Sequence, residues 1–126
     1  LDIFVGQWSG TLTFLQNDGN AYEPVWTIVT DKYNNIDIGE SARPAFVDID
    51  ADGDFDLFIG NRYGTIYFYQ NDGTKQTPAW KFITDQYADI VLDWGGMTPT
   101  FTDIDTDGDF DFFIGIHRFT FHNILL

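Results

Sequence analysis

Asp48-Ile49-Asp50-Ala51-Asp52-Gly53-Asp54-Phe55-Asp56-Leu57-Phe58-Ile59-Gly60 and Asp103-Ile104-Asp105-Thr106-Asp107-Gly108-Asp109-Phe110-Asp111-Phe112-Phe113-Ile114-Gly115 are two copies of one pattern, 55 residues apart. Each sets five aspartates in nine residues, with glycine sixth, ahead of a short apolar run. Acidic side chains at alternate positions aim at a common centre, and glycine permits the tight bend that curls the chain around it. Five carboxylates so close repel one another, each near pair by about 1 kcal/mol even in water. A hard divalent cation removes that conflict. With oxygen donors only and no His or Cys, the pattern selects calcium or magnesium over zinc or copper, and a flexible loop suits calcium's larger ligand number. Two calcium sites are expected. In the first, Asp48, Asp50, Asp52 and Asp56 ligate through side chains and Asp54 through its carbonyl. In the second, Asp103, Asp105, Asp107 and Asp111 do the same, with Asp109 giving its carbonyl. The EF-hand shares the early spacing but needs Glu at position 12 between helices. Here that position is Ile59 or Ile114, and the flanks have strand character.

Outward from these loops, the chain repeats. Leu1-Asp2-Ile3-Phe4-Val5-Gly6 matches residues 55–60 and 110–115, at offsets of 54 and 55. Gln16-Asn17-Asp18-Gly19 matches Gln70-Asn71-Asp72-Gly73, Pro24-Val25-Trp26 matches Pro78-Ala79-Trp80, and Pro44-Ala45-Phe46 matches Pro99-Thr100-Phe101. Each unit holds short runs of Phe, Tyr, Ile, Val and Thr bounded by Gly, Asn, Asp and Pro, which is strand punctuation. The central unit predicts strand A at 45–48, B at 56–60, C at 65–70 and D at 80–84. Four short antiparallel strands in about 50 residues build a propeller blade. The expected fold is all-β: a partial β-propeller of about 2.5 four-stranded blades, with calcium loops between strands A and B. Residues 1–43 make a partial blade (strands B-C-D), 44–98 a complete one, and 99–126 a second partial blade (A-B-C) whose last strand is expected at 119–124. Propellers close with about four to eight blades, so closure is expected to need further blades or further copies. A start inside a motif and without Met points to processing or to a piece of a longer chain.

Composition narrows the function. The 126 residues carry 20 acidic against 6 basic side chains, a formal charge of −14, with 44% hydrophobic and 18% aromatic residues. That balance excludes disorder, and it excludes nucleic-acid partners, which require a basic patch. No apolar run approaches the roughly 20 residues of a membrane span. Of the 20 acids, 18 are Asp and ten of those lie in the two loops, so the acidity belongs to loops and turns rather than to a solvated helix face. Cysteine is absent, which removes disulfides, thiolate metal sites and a cysteine nucleophile.

The loops and their flanks resemble the FG-GAP repeats of integrin alpha-subunit propellers and the VCBS repeats of secreted bacterial proteins. The resemblance implies that the Asp-x-Asp-x-Asp-Gly-Asp-x-Asp run, with its apolar strand and Gly60 or Gly115, is the calcium loop between the first two strands of a blade. It further implies an extracellular or cell-surface setting and adhesion or recognition of a protein or carbohydrate partner. Calcium then serves mainly as a structural brace.

Ligand residues are expected at the B–C corners, where Trp8, Arg62, Tyr63, His117 and Arg118 recur, because an aromatic beside a hydrogen-bonding side chain suits sugar rings and hydroxyls. Trp94 is a further candidate, and Trp26 and Trp80 are expected between blades. No catalytic residue is assigned: no phosphate loop or nucleophile elbow occurs, and Glu23 and Glu40, the one conceivable acid/base pair, have no counterparts in the repeat. Two alternatives stand beside this reading. One is a self-assembling subunit, a homo-oligomer or filament that completes its blades with its own copies. The other is a fragment of a polysaccharide-active enzyme.

Overall fold

A computed structural model describes residues 1–92 and 95–117. Among the described residues nine strands form three antiparallel sheets in chain order. The first holds β1 (Ile3–Gly6), β2 (Leu12–Asn17) and β3 (Trp26–Thr30); the second β4 (Arg43–Val47), β5 (Asp56–Gly60), β6 (Ile66–Asn71) and β7 (Trp80–Thr84); the third β8 (Gly96–Thr102) and β9 (Asp111–His117). Within each sheet neighbours in sequence are neighbours in space, so every connection is a hairpin. This is the partial propeller that the repeat predicts. The strand expected at 119–124 lies outside the described residues.

The repeat is kept down to register. Phe58 faces Phe68 and Ile59 faces Tyr67 across β5–β6, as Phe4 faces Phe14 and Val5 faces Thr13 across β1–β2. The pairs β2–β3 and β6–β7 slip at the same place in the repeat, between Phe14 and Leu15 and between Phe68 and Tyr69. Spacing therefore encodes not only the strands but also the irregularity that bends the outer strand.

Side chains alternate along a strand, and β5 uses both of its faces. Leu57 and Ile59 point into a cluster with Leu12, Ile36, Ile38 and Ala42. Phe58 points the other way, into a cluster with Val47, Ile66 and Met97. All three are fully buried, each burial contributing roughly 1.5–3 kcal/mol. The core thus lies between sheets, so each blade is held by its neighbours. Phe58 stacks on Phe68 with centroids 4.5 Å apart and meets Phe101 at 4.6 Å and Tyr87 at 4.8 Å. One repeat earlier, Phe4 meets Phe14, Phe46 and Tyr33 at 4.8, 4.7 and 4.9 Å.

Tyr33 and Tyr87 reach these clusters from single-turn 3₁₀ helices, Tyr33–Asn35 and Tyr87–Asp89, in which Asn34 (φ 49°) and Ala88 (φ 56°) are left-handed. Trp80 donates its indole N–H to the Tyr33 hydroxyl at 3.1 Å, joining first and second sheets. Trp26, expected in the same role, is instead 37% exposed on β3. Backbones come close where blades meet: a Cβ on Gly6 would collide with the Ala42 carbonyl, and one on Gly60 with that of Met97.

Candidate metal centre

Antiparallel hairpins send the first-to-second and third-to-fourth strand connections to one end of a blade. The second-to-third connections, and the links to the next blade, go to the other. Residues 48–55 therefore share an end with the turn 72–79, while 61–65 sit at the opposite end with 31–42.

The acidic loop curls because two left-handed residues follow each other closely: Ala51 (φ 60°) and Gly53 (φ 98°), repeated as Thr106 (φ 63°) and Gly108 (φ 99°). The curl turns backbone N–H groups inward onto carboxylates. Asp48 accepts from the amides of Asp52 and Gly53, both at 3.0 Å, and Asp52 accepts from Asp54 at 3.1 Å. In the second loop Asp103 accepts from Gly108 at 3.1 Å and Asp107 from Asp109 at 3.1 Å.

Two carboxylate triads result. One oxygen each from Asp48, Asp50 and Asp52 lies within 4.8 Å of the others, and the same holds for Asp103, Asp105 and Asp111. Asp56 and Asp107 stand outside these triads. Asp56 is 2% exposed and accepts the amides of Asn71 at 2.8 Å and Ile49 at 3.3 Å. Asp111 accepts the Ile104 amide at 2.9 Å while joining its triad. One oxygen each on Asp54 and Asp103 is buried without a hydrogen-bond partner. A buried carboxylate oxygen is costly when unpaired, and an all-oxygen set of this kind fits a hard divalent cation.

Burial and crowding together raise the proton affinity of three loop carboxyls. Burial, then the neighbouring Asp52, pushes the Asp54 carboxyl above its ordinary value, partly offset by the Asn71 side chain. Asp107, then burial, does the same to Asp109. Burial raises Asp56 despite the two amides that bond it.

At the other end, Arg62 lies 5.4 Å over the Trp8 ring and pairs with Glu40 at 2.7 Å. Tyr63, 54% exposed, flanks Gly39, and Trp8 is 58% exposed. The structure thus gathers Trp8, Arg62 and Tyr63 of successive blades along the segment 39–41. His117 ends β9, opposite Gly96. Arg118 and Trp94 lie outside the described residues. Glu40 is committed to Arg62, and Glu23 sits in the turn before β3, so the two glutamates belong to different ends of the first blade.

Sequence reasoning passed over Gln70 and Asn71. Gln70 donates its side-chain amide to Asp50 at 2.9 Å, and Asn71 gives its backbone N–H to Asp56. The signal was the repeated Gln-Asn-Asp-Gly.

Three meandering sheets that bury their cores against one another, with acidic loops at one end, define a β-propeller repeat module. Among the described residues no helix is long and apolar enough to cross a membrane. The family model for FG-GAP-like repeats matches residues 48–114, 67 of the 126, and the chain belongs to that family. No curated protein and no solved structure matches it.

Proposed function

We propose that this chain is a calcium-braced, non-catalytic propeller module of an extracellular protein, which recognises a protein or glycan partner at its B–C corners. The observation that carries the reading is the pair of carboxylate triads, each with a buried, unpartnered oxygen in its loop, at the blade end away from Trp8, Arg62 and Tyr63. An ion there ties strand A to strand B and leaves the recognition end untouched. Extracellular calcium near millimolar fills loops of even 10⁻⁴–10⁻³ M affinity. The Arg62–Glu40 pair supports recognition rather than catalysis, because it fixes the guanidinium beside the exposed indole and engages Glu40.

Two measurements test this. Calorimetric titration with calcium is expected to give about two sites, and Asp50→Ala is expected to leave one; an unchanged isotherm in the variant would refute the assignment. An oligosaccharide array is expected to retain the chain in a manner lost on Tyr63→Ala, and retention by neither glycans nor extracellular proteins would refute recognition.

Self-assembly is a second reading, favoured by apolar side chains exposed on the outer sheets: Ile28 at 66% on the first, Phe113 at 46% and Ile116 at 47% on the third. Light scattering with millimolar calcium decides it, a calcium-dependent oligomer supporting assembly and a monomer opposing it.

A further inference from the structure

The repeated Gln-Asn-Asp-Gly is not absorbed by the fold or by the triads, yet it lies against both. In the second blade Asn71 is held from two directions. Its N–H donates to the buried Asp56 at 2.8 Å, and its side-chain oxygen accepts the amides of Gly73 at 3.0 Å and Ala79 at 2.9 Å, the two ends of the turn that leads to β7. Asp56's other oxygen takes the amide of Ile49, between Asp48 and Asp50 of the triad. Gln70, the preceding residue, reaches Asp50 directly.

The first blade repeats the Asn71 part of the arrangement: Asn17 donates its N–H to Asp2 at 3.0 Å and accepts from Gly19 at 2.9 Å and Val25 at 3.0 Å, while the links to the acidic loop, Ile49 to Asp56 and Gln70 to Asp50, are made in the second blade. The Asn–Asp bond and the turn it closes thus recur at one offset, and in the second blade Asp56 and Asn71 connect backbone amides of the A–B loop (Ile49) and of the C–D turn (Gly73 and Ala79).

We propose that the Gln-Asn pair closing the third strand is the outer layer of the metal centre: Gln70 positions Asp50 within its triad, and Asn71 transmits loop order through Asp56 to the turn 72–79. The inference rests on the calcium reading above. Its physical basis is that a ligand's own hydrogen-bond partner fixes its orientation, and that removing such a partner typically costs 10–100-fold in metal affinity. Gln70 spends no charge on the task. Its amide aims one Asp50 oxygen without adding charge, whereas a lysine there would compete with the cation as a counter-ion.

The test follows each loop separately by nuclear magnetic resonance, using the amides of Gly53 and Gly108 during titration with calcium chloride. Gln70→Ala, and Gln70→Met as a variant that keeps the side chain's bulk, are expected to weaken binding reported by Gly53 about tenfold and leave Gly108 unchanged. In the wild-type chain, calcium is expected to slow hydrogen exchange at Gly73 and Ala79 at least tenfold. Equal Gly53 affinity in wild type and both variants overturns the role of Gln70. Exchange at Gly73 and Ala79 indifferent to calcium overturns the role of Asn71. A wild-type chain in which neither glycine responds overturns the calcium reading and this inference together, so the two failures are told apart.

Discussion

Asp52→Asn is expected to change sign with calcium. Three carboxylate oxygens within 4.8 Å form three repelling pairs, each worth about 0.9 kcal/mol at that separation in water. Asp52 takes part in two. Salt and the proximity of these residues in the unfolded chain remove roughly half of the effect, so neutralising Asp52 is expected to stabilise the calcium-free protein by about 1 kcal/mol. The amide oxygen of the new side chain still accepts from Asp54, so no backbone donor is orphaned. In excess calcium the same change removes a charged ligand. A hundredfold loss of affinity, inside the span over which ligand charge tunes such loops, is about 2.7 kcal/mol and leaves the variant about 1.7 kcal/mol less stable than wild type. With a urea slope of about 2 kcal/mol per molar, the midpoint is expected to rise by about 0.5 M in chelator and fall by about 0.8 M in calcium. A variant that is less stable in both conditions, or equal to wild type in both, would refute the view that folding crowds these charges around a cation.

The raised carboxyls of Asp54 and Asp56, shifted first by burial, and of Asp109, shifted first by the Asp107 charge, give a pH dependence. The folded, calcium-free protein binds protons more tightly than the unfolded chain, so its stability is expected to increase as pH falls from 7 toward the ordinary Asp value of 3.8 and to be lost as pH rises through the raised values. Calcium affinity is expected to fall over the same range, because the ligands must be ionised; thermal melts and titrations at pH 7, 6 and 5 check both, and parallel trends would contradict the scheme. Phe58→Ala is expected to cost about 3–5 kcal/mol, read from urea unfolding in calcium. Its repeat partner Phe4→Ala is expected to cost less, because Phe4 is only partly buried whereas Phe58 is fully so; equal losses would mean that the two blade interfaces are alike in tightness.

Much of this architecture is legible along the chain. Leu57-Phe58-Ile59 between Asp56 and Gly60 announces a strand buried on both sides, and repetition at 54 residues locates its neighbours. The 3₁₀ turns are not legible, because Asn34 and Ala88 occupy the same left-handed place with different residue types, and what holds them there is the packing of Tyr33 and Tyr87. Nor does identity of type fix environment: Trp80 finds the Tyr33 hydroxyl, while Trp26 remains partly exposed on its edge strand. In the loops, spacing shows that carboxylates cluster but not which of them converge, since Asp111 joins its triad while its counterpart Asp56 does not. Asp56 looks like any ligand at position nine until its bond to an amide 15 residues on is seen. Gln70 escaped notice for a similar reason, since a neutral amide advertises no ion.

The glycines at the seams bear on how one blade is matched to the next. Gly6 against the Ala42 carbonyl and Gly60 against that of Met97 are one joint made twice, between different pairs of blades, with no side chain on the glycine to be matched. Such a coupling is interchangeable. At these two points, then, successive blades meet backbone to backbone, and the contact carries no side-chain code that would tell one pair of blades from the next.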